Sequence, residues 1–565
     1  MAEAGQKRSD SARWLAKLAK KRKVTEDWPA GPASYDELMN WPSSVAQALS
    51  SSGRPDEDAE MMLRLHSNCL GFMLFYTDYS GIDCPREAME LGLQAVVDKA
   101  GWNFTHQPMC FARSCDKGIL QTQVLTQVAQ VHGHSKTCHF SDMLDRLPPN
   151  AREWVQAATP DKSHPKQDRK LAFHDMQQWL RANSSWAYPQ DATSKCSVHG
   201  CECPARPSWT GASRDTGHDS NLCSSDVQRP LRINVAGVTC NGWSVAGEQE
   251  QYAHSSEAAH ACWLEERRAW HQDAFEGLFF VECTPRYPVK DKLASQLDGL
   301  CTVLHVVDGP ELHGWPHKRR RVLAVALNNK TVRWVGPVNY QADFARRFHR
   351  GCALHGTAPL AATTEEIHEE YVTLARRRSF AIDKNTIGQL SPENLLEMIV
   401  PPGCVLRLKE WQQHRQEHGL SGPFMCDIEH HAGGKGTTAG SDWPVQLTHG
   451  HVMSISEAGA WRLALGTEHF SALGFRMHLS PDSKLPVTKL KPILGGLAPA
   501  QQKLLAGNGM HLVTQCAWQM YVLSDVVRVP EETVPRSLAS QDSGSEWGCS
   551  DDELGQKDDS ESGEE

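Results

Sequence analysis

A thiol, a carboxylate and a pair of arginines stand at the borders of apolar runs in this chain. Cys240 lies in a polar loop just after one run, Glu282 follows another, and Arg319 and Arg321 lead into a third. A thiolate can attack an electron-poor carbon and form a covalent intermediate. A carboxyl group can supply a proton in the same step, and arginines can hold a negatively polarised oxygen. Taken singly, each residue has a plainer explanation, as a packed cysteine, a helix cap or a phosphate-binding patch.

The elements that must position these residues are strands and helices in alternation. Five apolar, β-branched runs end abruptly in polar or glycine-rich residues, as the strands of a parallel sheet do. A helix is predicted after Pro85, a favoured first helical residue, with Gly101 beyond its end. This alternation predicts an α/β protein with a doubly wound, Rossmann-like sheet, whose working residues lie at the carboxyl ends of the strands. The five runs are 69–76, 230–238, 277–281, 301–307 and 321–327.

The segment 77–84, which joins the first run to that helix, is a candidate ligand-binding turn. Gly81 would let the backbone approach a ligand closely, and the start of the following helix offers unpaired N–H groups. Without further support, one glycine after a strand indicates a turn and nothing more.

Together these segments resemble the DNA (cytosine-5) methyltransferase family. Cys240 precedes Glu282 by 42 residues and Glu282 precedes Arg319 by 37, which follows the family's order and relative spacing. The resemblance spans 69–327 and 445–525 and leaves a gap where the family has its target-recognition region. The matching segments are 239–244 (Pro-Cys-Gln-x-Phe-Ser in the family), 282–284 (Glu-Asn-Val), 316–321 (Pro-Gln-x-Arg-x-Arg), 77–84 in part (Asp-x-Phe-x-Gly-x-Gly-Gly), 465–475 (Glu-x-x-x-x-x-Gly-Phe) and 506–510 (Gly-Asn-Ala-Val).

The resemblance implies an S-adenosylmethionine-dependent methyltransferase fold with a second, smaller target-recognition region. It makes Cys240 the nucleophile and Glu282 the acid, with Arg319 and Arg321 orienting a cytosine flipped out of duplex DNA. Acids at the ends of the second and third strands would hold the cofactor's ribose and its adenine amine. The cofactor-binding residues implied in this way are Tyr79, Ser80, Gly81, Ile82, Asp116, Asp142, Asn508 and Gly509.

Several positions depart from the family's motifs, and they keep two other functions open. The first is methylation of cytosine in transfer RNA, which a branch of the family performs with the same thiol and acid. The second is a catalytically degenerate protein that binds nucleic acid. The substituted positions are Thr239 for proline, Asn241 and His317 for glutamine, Cys283 for asparagine, and Asp83 and Cys84 for two glycines.

The chain is expected to divide into five parts, and its oligomeric state cannot be predicted. The net charge of −10 is concentrated at the end of the chain, where 541–565 hold ten acids and one lysine. A basic run at 20–24 (KKRKV) resembles a nuclear-import signal, so we expect a nuclear protein, with the cytoplasm as the alternative. No apolar run reaches membrane-spanning length, and no membrane partner is expected. The parts are 1–60 (basic extension, partly disordered), 61–335 (catalytic core with an insertion at about 150–229), 336–445 (target recognition), 446–530 (remainder of the core) and 531–565 (acidic disordered tail).

The insertion carries four possible zinc ligands in eight residues, Cys196, His199, Cys201 and Cys203. Structural zinc usually draws its ligands from two well-separated pairs, and Cys201 and Cys203 are crowded together. The prediction is therefore loop cysteines without a metal, with zinc as the alternative.

Overall fold

The computed structural model describes residues 28–132, 137–207, 230–244, 247–417, 422–432 and 440–530. The predicted import signal at 20–24 and the acidic tail from 531 lie outside these ranges. Among the helices it describes, none is long and apolar enough to cross a membrane.

Fourteen strands are described, and seven of them form one central sheet in the order β3-β2-β1-β6-β7-β9-β8. Three smaller sheets pair β4 with β5, β10 with β14, and β11 with β12 and β13. The strands are β1 (Met73–Asp78), β2 (Met109–Cys115), β3 (Cys138–Phe140), β4 (Thr193–Lys195), β5 (Glu202–Pro204), β6 (Leu231–Gly237), β7 (Leu278–Cys283), β8 (Cys301–Asp308), β9 (Arg321–Asn328), β10 (Val332–Trp334), β11 (Phe424–Asp427), β12 (Val452–Ile455), β13 (Trp461–Leu463) and β14 (Val526–Arg528).

The helices supply both layers that cover the central sheet. Their bounds are α1 (Tyr35–Met39), α2 (Trp41–Ser50), α3 (Pro55–Leu70), α4 (Cys84–Ala100), α5 (Ile119–Val131), α6 (Pro149–Ala158), α7 (Lys166–Ala182), α8 (Ser184–Ala187), α9 (Glu257–Gln272), α10 (Tyr340–Phe348), α11 (Thr364–Arg377), α12 (Lys384–Ile387), α13 (Pro392–Ile399), α14 (Pro402–Glu417), α15 (Gly466–Ser471), α16 (Lys491–Gly495), α17 (Pro499–Asn508) and α18 (Leu512–Ser524). The predicted helix after Pro85 is α4, which ends at a left-handed Gly101 with φ of 64°.

Strand β9 runs against the rest of the central sheet. It is antiparallel to both of its neighbours, β7 and β8, whereas β1, β2, β3, β6 and β7 are parallel. The sequence predicts 321–327 as one more strand of a parallel sheet, and in this respect the structure differs. The physical reason is the connection 309–320, which carries a single short 3-10 helix (Pro310–Leu312) and no crossover helix of the kind that a parallel return requires.

Alternating residues of the central strands enter two different cores, as the two-residue period of a strand requires. In β7, Phe280 lies in the core with helices α2, α4 and α18, while Phe279 and Val281 lie in the core on the other side with α9. Since both faces are covered, the strands read as continuous apolar runs, which is why the sequence could locate them.

Two regions lie differently from the predicted boundaries. The helix α2, within the predicted N-terminal extension, packs on α4 and α18 and buries Trp41, Val45 and Leu49 in the main core. The segment between β10 and α15 has a core of its own, made by α11 to α14 with β11 to β13. That core runs from Tyr371 to Leu465, beyond the predicted limit at 445.

Candidate active site at the carboxyl edge of the sheet

Three polar segments meet at one edge of the central sheet. Strands β6 and β7 are parallel neighbours in which Gly237 pairs with Glu282, and Cys240 follows Gly237 by three residues. Because β9 is reversed, its first residues lie at the edge where β7 ends, with Val322 opposite Cys283. The reversal therefore brings the arginine segment to the same edge as the thiol and the carboxylate, where a parallel β9 would have placed it at the other end.

Glu282 and Arg321 form an ion pair. The Nε of Arg321 lies 2.9 Å from the Oε1 of Glu282, and the two side chains are 18% and 12% exposed. The pair fixes the carboxylate at the end of β7 while leaving it within reach of a molecule at this edge.

Arg319 is buried beside the same two groups. Its Nη2 donates to the backbone carbonyls of Gly507 and Gly509, whereas its Nε and Nη1 are buried without a hydrogen-bond partner among the described residues. Burial, helped by Arg321, lowers the pKa of Arg319 to about 10, and the nearby Glu282 and Cys240 act in the opposite direction. A buried cation with unused donors is a site that a polar ligand atom would stabilise.

Two cysteines lie close together here, and the structure separates their properties. Cys240 is half-buried in a tight turn. The backbone carbonyl of Cys240 accepts hydrogen bonds from the backbone N–H groups of Trp243 and Ser244 at 2.9 and 2.7 Å. Cys283 is fully buried, and its pKa is raised well above the usual value by burial first and by Cys240 and Glu282 next. Of the two, Cys240 is therefore the thiol that a substrate can reach.

The turn after β1 has the strained backbone of a close-approach loop. Tyr79, Gly81 and Asp83 all have positive φ, at 52°, 60° and 63°. Left-handed backbone favours glycine, and the resembled family has glycine at the position of Asp83. Here the Asp83 carboxylate accepts a hydrogen bond from Thr77 Oγ1 at 2.7 Å, which compensates part of that cost. Ser80 and Ile82 are buried in the turn.

Asp116 holds this turn to the end of β2. The backbone N–H of Gly81 donates to its Oδ2 at 2.5 Å, and burial raises the pKa of Asp116 to about 6. Asp142, after β3, has a partner for each of its carboxylate oxygens. One oxygen accepts a hydrogen bond from the N–H of Leu144 at 3.0 Å, and the other lies 3.0 Å from Lys117 Nζ. Both acids thus lie past strand ends, as the resemblance implies, but Asp142 already serves as a helix cap.

The end of α17 closes the site against this turn. A Cβ added to Gly81 would meet the carbonyl of Asn508 at 3.9 Å and nothing closer in the described part of the chain, so the space beside Gly81 is open. A Cβ on Gly509 would come within 2.9 Å of Leu473 and 3.2 Å of Cys84, so the close packing there requires glycine. Apart from Asp142, the residues that the resemblance implies for cofactor binding therefore all lie in the turn after β1 or beside it.

A buried charge network that the sequence does not predict lies under the turn. Asp78, the last residue of β1, is bound by Arg146 at 2.6 Å and by Arg113 at 3.2 Å, and Arg146 also pairs with Glu266. Burial alone would raise the pKa of Asp78, but the two arginines hold it below its usual range. These residues come from β1, β2 and two separate helical segments, so no local pattern in the sequence indicates their meeting.

Comparison with known proteins gives structural neighbours but no sequence relative. No protein-family model and no curated protein matches the chain. Among solved structures it is similar to a methyltransferase of Entamoeba histolytica, with 10% identity, a TM-score of 0.34 and coverage of 80% of this chain and 98% of that one. It is also similar to the Dnmt2 methyltransferase of S. pombe, with 10% identity, a TM-score of 0.33 and coverage of 80% and 98%. A putative DNA modification methyltransferase from an E. coli prophage has 10% identity, a TM-score of 0.34 and the same coverage.

The assignment of fold rests on the central sheet itself. Its seven strands have helices on both faces, as a doubly wound sheet requires, and the reversal of β9 is the one feature that the sequence did not predict. The chain has the doubly wound α/β fold that the sequence predicts, with the one strand β9 reversed.

Proposed function

We propose that this chain is a divergent DNA (cytosine-5) methyltransferase that uses S-adenosylmethionine, with Cys240 as nucleophile and Glu282 as acid. The observation that carries the proposal is the convergence of Cys240, Glu282 and Arg321 at one edge of the central sheet. The pairing of Gly237 with Glu282 brings the Cys240 loop beside Glu282, although the two residues are 42 positions apart in sequence, and the Arg321 side chain contacts the Glu282 carboxylate. A thiol, a carboxylate and a guanidinium group at one edge of the sheet are suited to covalent attack on a polar, electron-poor ring.

The proposed reaction proceeds through a covalent adduct. The Cys240 thiol gives its proton to the Glu282 carboxylate, and Sγ forms a bond to carbon 6 of the base. The carbon 5–carbon 6 double bond opens, and ring nitrogen 3 takes that proton from Glu282. The electron pair at carbon 5 would then form a bond to the methyl group that the cofactor would supply. Loss of the carbon 5 proton to solvent, breakage of the carbon–sulfur bond and return of the nitrogen 3 proton to Cys240 through Glu282 restore the ring and the thiol. Glu282 thereby offsets the charge that enters the ring.

Arg319 and Arg321 have different roles in this proposal. Arg321 holds Glu282 in place through their ion pair. Arg319 donates N–H groups to the carbonyl oxygen of the base, which would satisfy buried donors that have no partner in the part of the chain that the structure describes. The base must leave the stacked duplex to reach this edge, so the substrate is flipped out.

The residues present fit the cofactor. The open space beside Gly81 admits the methyl donor, and the Asp116 carboxylate lies at the mouth of the same turn to accept hydrogen bonds from a ribose. Asp142 would receive the adenine amine after giving up its contact with Lys117, an exposed side chain. When bound, the cofactor would supply the methyl group from its positively charged sulfur, which becomes a neutral thioether as the methyl group leaves.

DNA is favoured over transfer RNA by the size of the region between the central sheet and the helices α15 to α18. The core from Tyr371 to Leu465 has four helices and three strands, and two exposed arginines, Arg376 and Arg377, lie at the end of α11. In the family that the chain resembles, the branch that modifies transfer RNA is compact. Because the run at 20–24 resembles an import signal, we place the protein in the nucleus.

Incubation with methyl-labelled S-adenosylmethionine and either duplex DNA or transfer RNA tests the proposal. We expect label in 5-methylcytosine of the DNA. Label in RNA alone would move the substrate to transfer RNA and leave the chemistry unchanged. Label in neither, together with failure to bind the cofactor, would identify the chain as a degenerate nucleic-acid-binding protein.

A further inference from the structure

Three cysteines and a histidine from two distant segments converge beside the third strand of the sheet. Their possible ligand atoms, in Cys138, Cys196, His199 and Cys203, all lie within 4.8 Å of one another. Cys138 opens β3, Cys196 and His199 lie in the turn between β4 and β5, and Cys203 is in β5. We call these four residues the Cys3His cluster.

The centre of the cluster is one nitrogen atom. Nδ1 of His199 lies 3.6 Å from the Sγ of Cys138, 3.4 Å from that of Cys196 and 3.3 Å from that of Cys203. A ring nitrogen has one proton or one lone pair, so hydrogen bonding accounts for one such contact and not for three. Three near-equal contacts to sulfurs on different elements are what ligands around a common ion make.

The distances also fit the geometry of one metal. Zinc binds thiolate sulfur at about 2.3 Å and histidine nitrogen at about 2.0–2.1 Å in a tetrahedron, which puts nitrogen and sulfur about 3.6 Å apart. The three observed separations are within a few tenths of an ångström of that value. Three thiolates with one imidazole are a ligand set of structural zinc sites, and four protein ligands leave no position open for catalysis.

The backbone around the cluster is arranged to stabilise a thiolate. The N–H of His139 donates to the Sγ of Cys196 at 3.3 Å, and hydrogen bonds to the charged form of an acid favour that form. The turn is closed by the N–H of Cys196, which donates to the carbonyl of Cys201 at 2.9 Å, and by Gly200 with a positive φ of 69°.

We propose that Cys138, Cys196, His199 and Cys203 bind a structural zinc ion that fastens the insertion to the edge of the central sheet. The hairpin of β4 and β5 has two strands of three residues, too small to be stable alone. Strand β3 is the edge strand, and the hairpin already meets it through the N–H of Ser197, which donates to the carbonyl of His139 at 2.8 Å. The metal would add a link between residues that are 58 or more positions apart.

This set differs from the one that the sequence suggested. Cys201, one of the four candidates there, is exposed, and its Sγ lies 4.0 Å from that of Cys203 but outside the group of mutually close ligand atoms. Cys138 takes its place. One ligand then comes from β3 and three come from the hairpin, so the ligands are drawn from two well-separated segments and the crowding of Cys201 and Cys203 is no objection.

The test is the zinc content of the full chain, purified under reducing conditions in the presence of zinc and then dialysed. We expect one zinc per chain by elemental mass spectrometry for the wild type. Cys138→Ser and Cys203→Ser should fall to background, and the matched control Cys201→Ser should keep its zinc. Retention by Cys138→Ser with loss by Cys201→Ser would overturn the proposed ligand set.

A measurement on the wild-type chain covers the case in which a variant does not fold. Cobalt(II) substituted for zinc should give the intense visible absorption of a tetrahedral ion together with thiolate-to-metal charge transfer. A wild-type chain that binds neither ion, or in which two of the three cluster cysteines form a disulfide under reducing conditions, contradicts the proposal. None of these readouts depends on methyl transfer, so failure of the zinc site and failure of the proposed enzyme activity are distinguishable.

Discussion

The Glu282→Gln substitution tests whether Glu282 acts as a catalytic acid or has only a structural role. The substitution preserves size and hydrogen-bonding capacity but removes the charge and the transferable proton. If Glu282 supplies the proton to ring nitrogen 3, the methyl-transfer step should slow by about 10²–10⁴-fold, the usual contribution of a general acid. In activation free energy that is about 2.7–5.4 kcal/mol.

The same substitution also removes the ion pair with Arg321, and the structure bounds that effect. With side chains 12% and 18% exposed, the pair is neither fully solvated nor fully buried. Its loss should cost about 1–2 kcal/mol of unfolding free energy, between the value of an exposed ion pair and that of a hydrogen bond to a charged group. A protein with several kcal/mol of stability stays folded after such a change, so the two effects can be measured separately.

The chain offers a matched control in Glu311→Gln. Glu311 is 11% exposed and lies 2.7 Å from Arg320, in the same loop but outside the proposed chemistry. The assay is single-turnover methyl transfer with saturating cofactor and DNA, accompanied by DNA binding and thermal unfolding. We expect both variants to bind DNA and unfold within a few °C of wild type, and only Glu282→Gln to lose its rate. Equal rates for the two variants would refute the role of Glu282.

Three further outcomes are expected. Cys240→Ala should abolish methyl transfer and still bind S-adenosylmethionine in calorimetry, while Cys283→Ser should keep activity; the reverse pattern would exchange their roles. The pKa of Asp116 is raised to about 6 in the folded chain, above its ordinary value of 3.8. The contribution of Asp116 to the free energy of unfolding is therefore fully present below pH 3.8 and is lost as the pH rises through 6. Cofactor affinity should instead rise over that pH range as the carboxylate forms, and a profile that Asp116→Asn leaves unchanged would contradict its proposed contact. Gly509→Ala should lower the free energy of unfolding by about 1–3 kcal/mol through overpacking against Leu473 and Cys84, whereas Gly495→Ala, with open space around it, should not.

The strands and the strand-end residues could be predicted because their causes are local. A strand buried on both faces is apolar throughout and ends where polar residues resume, so 277–281 marks β7 and places Glu282 at its end. The segment of α2 carries a comparable signal, since Trp41, Val45, Ala48 and Leu49 have helical spacing. It is nevertheless predicted as part of a partly disordered N-terminal extension, because a basic segment precedes it.

What the sequence could not indicate depends on contacts between distant segments. The direction of β9 follows from how the loop 309–320 packs, and with it the meeting of Arg321 with Glu282. The place of Cys138 in the Cys3His cluster depends on the hairpin 193–204 returning to the edge of the sheet, 58 residues further along. Neither contact can be predicted from a local pattern of residue types, because the periodicity of one segment does not indicate which distant segment it contacts.

The central claim is that Cys240 forms a covalent bond with a flipped cytosine. Duplex DNA with 5-fluorocytosine at the target position tests it directly, because fluorine at carbon 5 blocks the final elimination and leaves the adduct in place. With S-adenosylmethionine present, the wild-type chain should give a protein–DNA species that survives denaturation and maps to Cys240, and Cys240→Ala should give none. A wild-type chain that forms no adduct with DNA or RNA, or an adduct that persists in Cys240→Ala, would contradict the account.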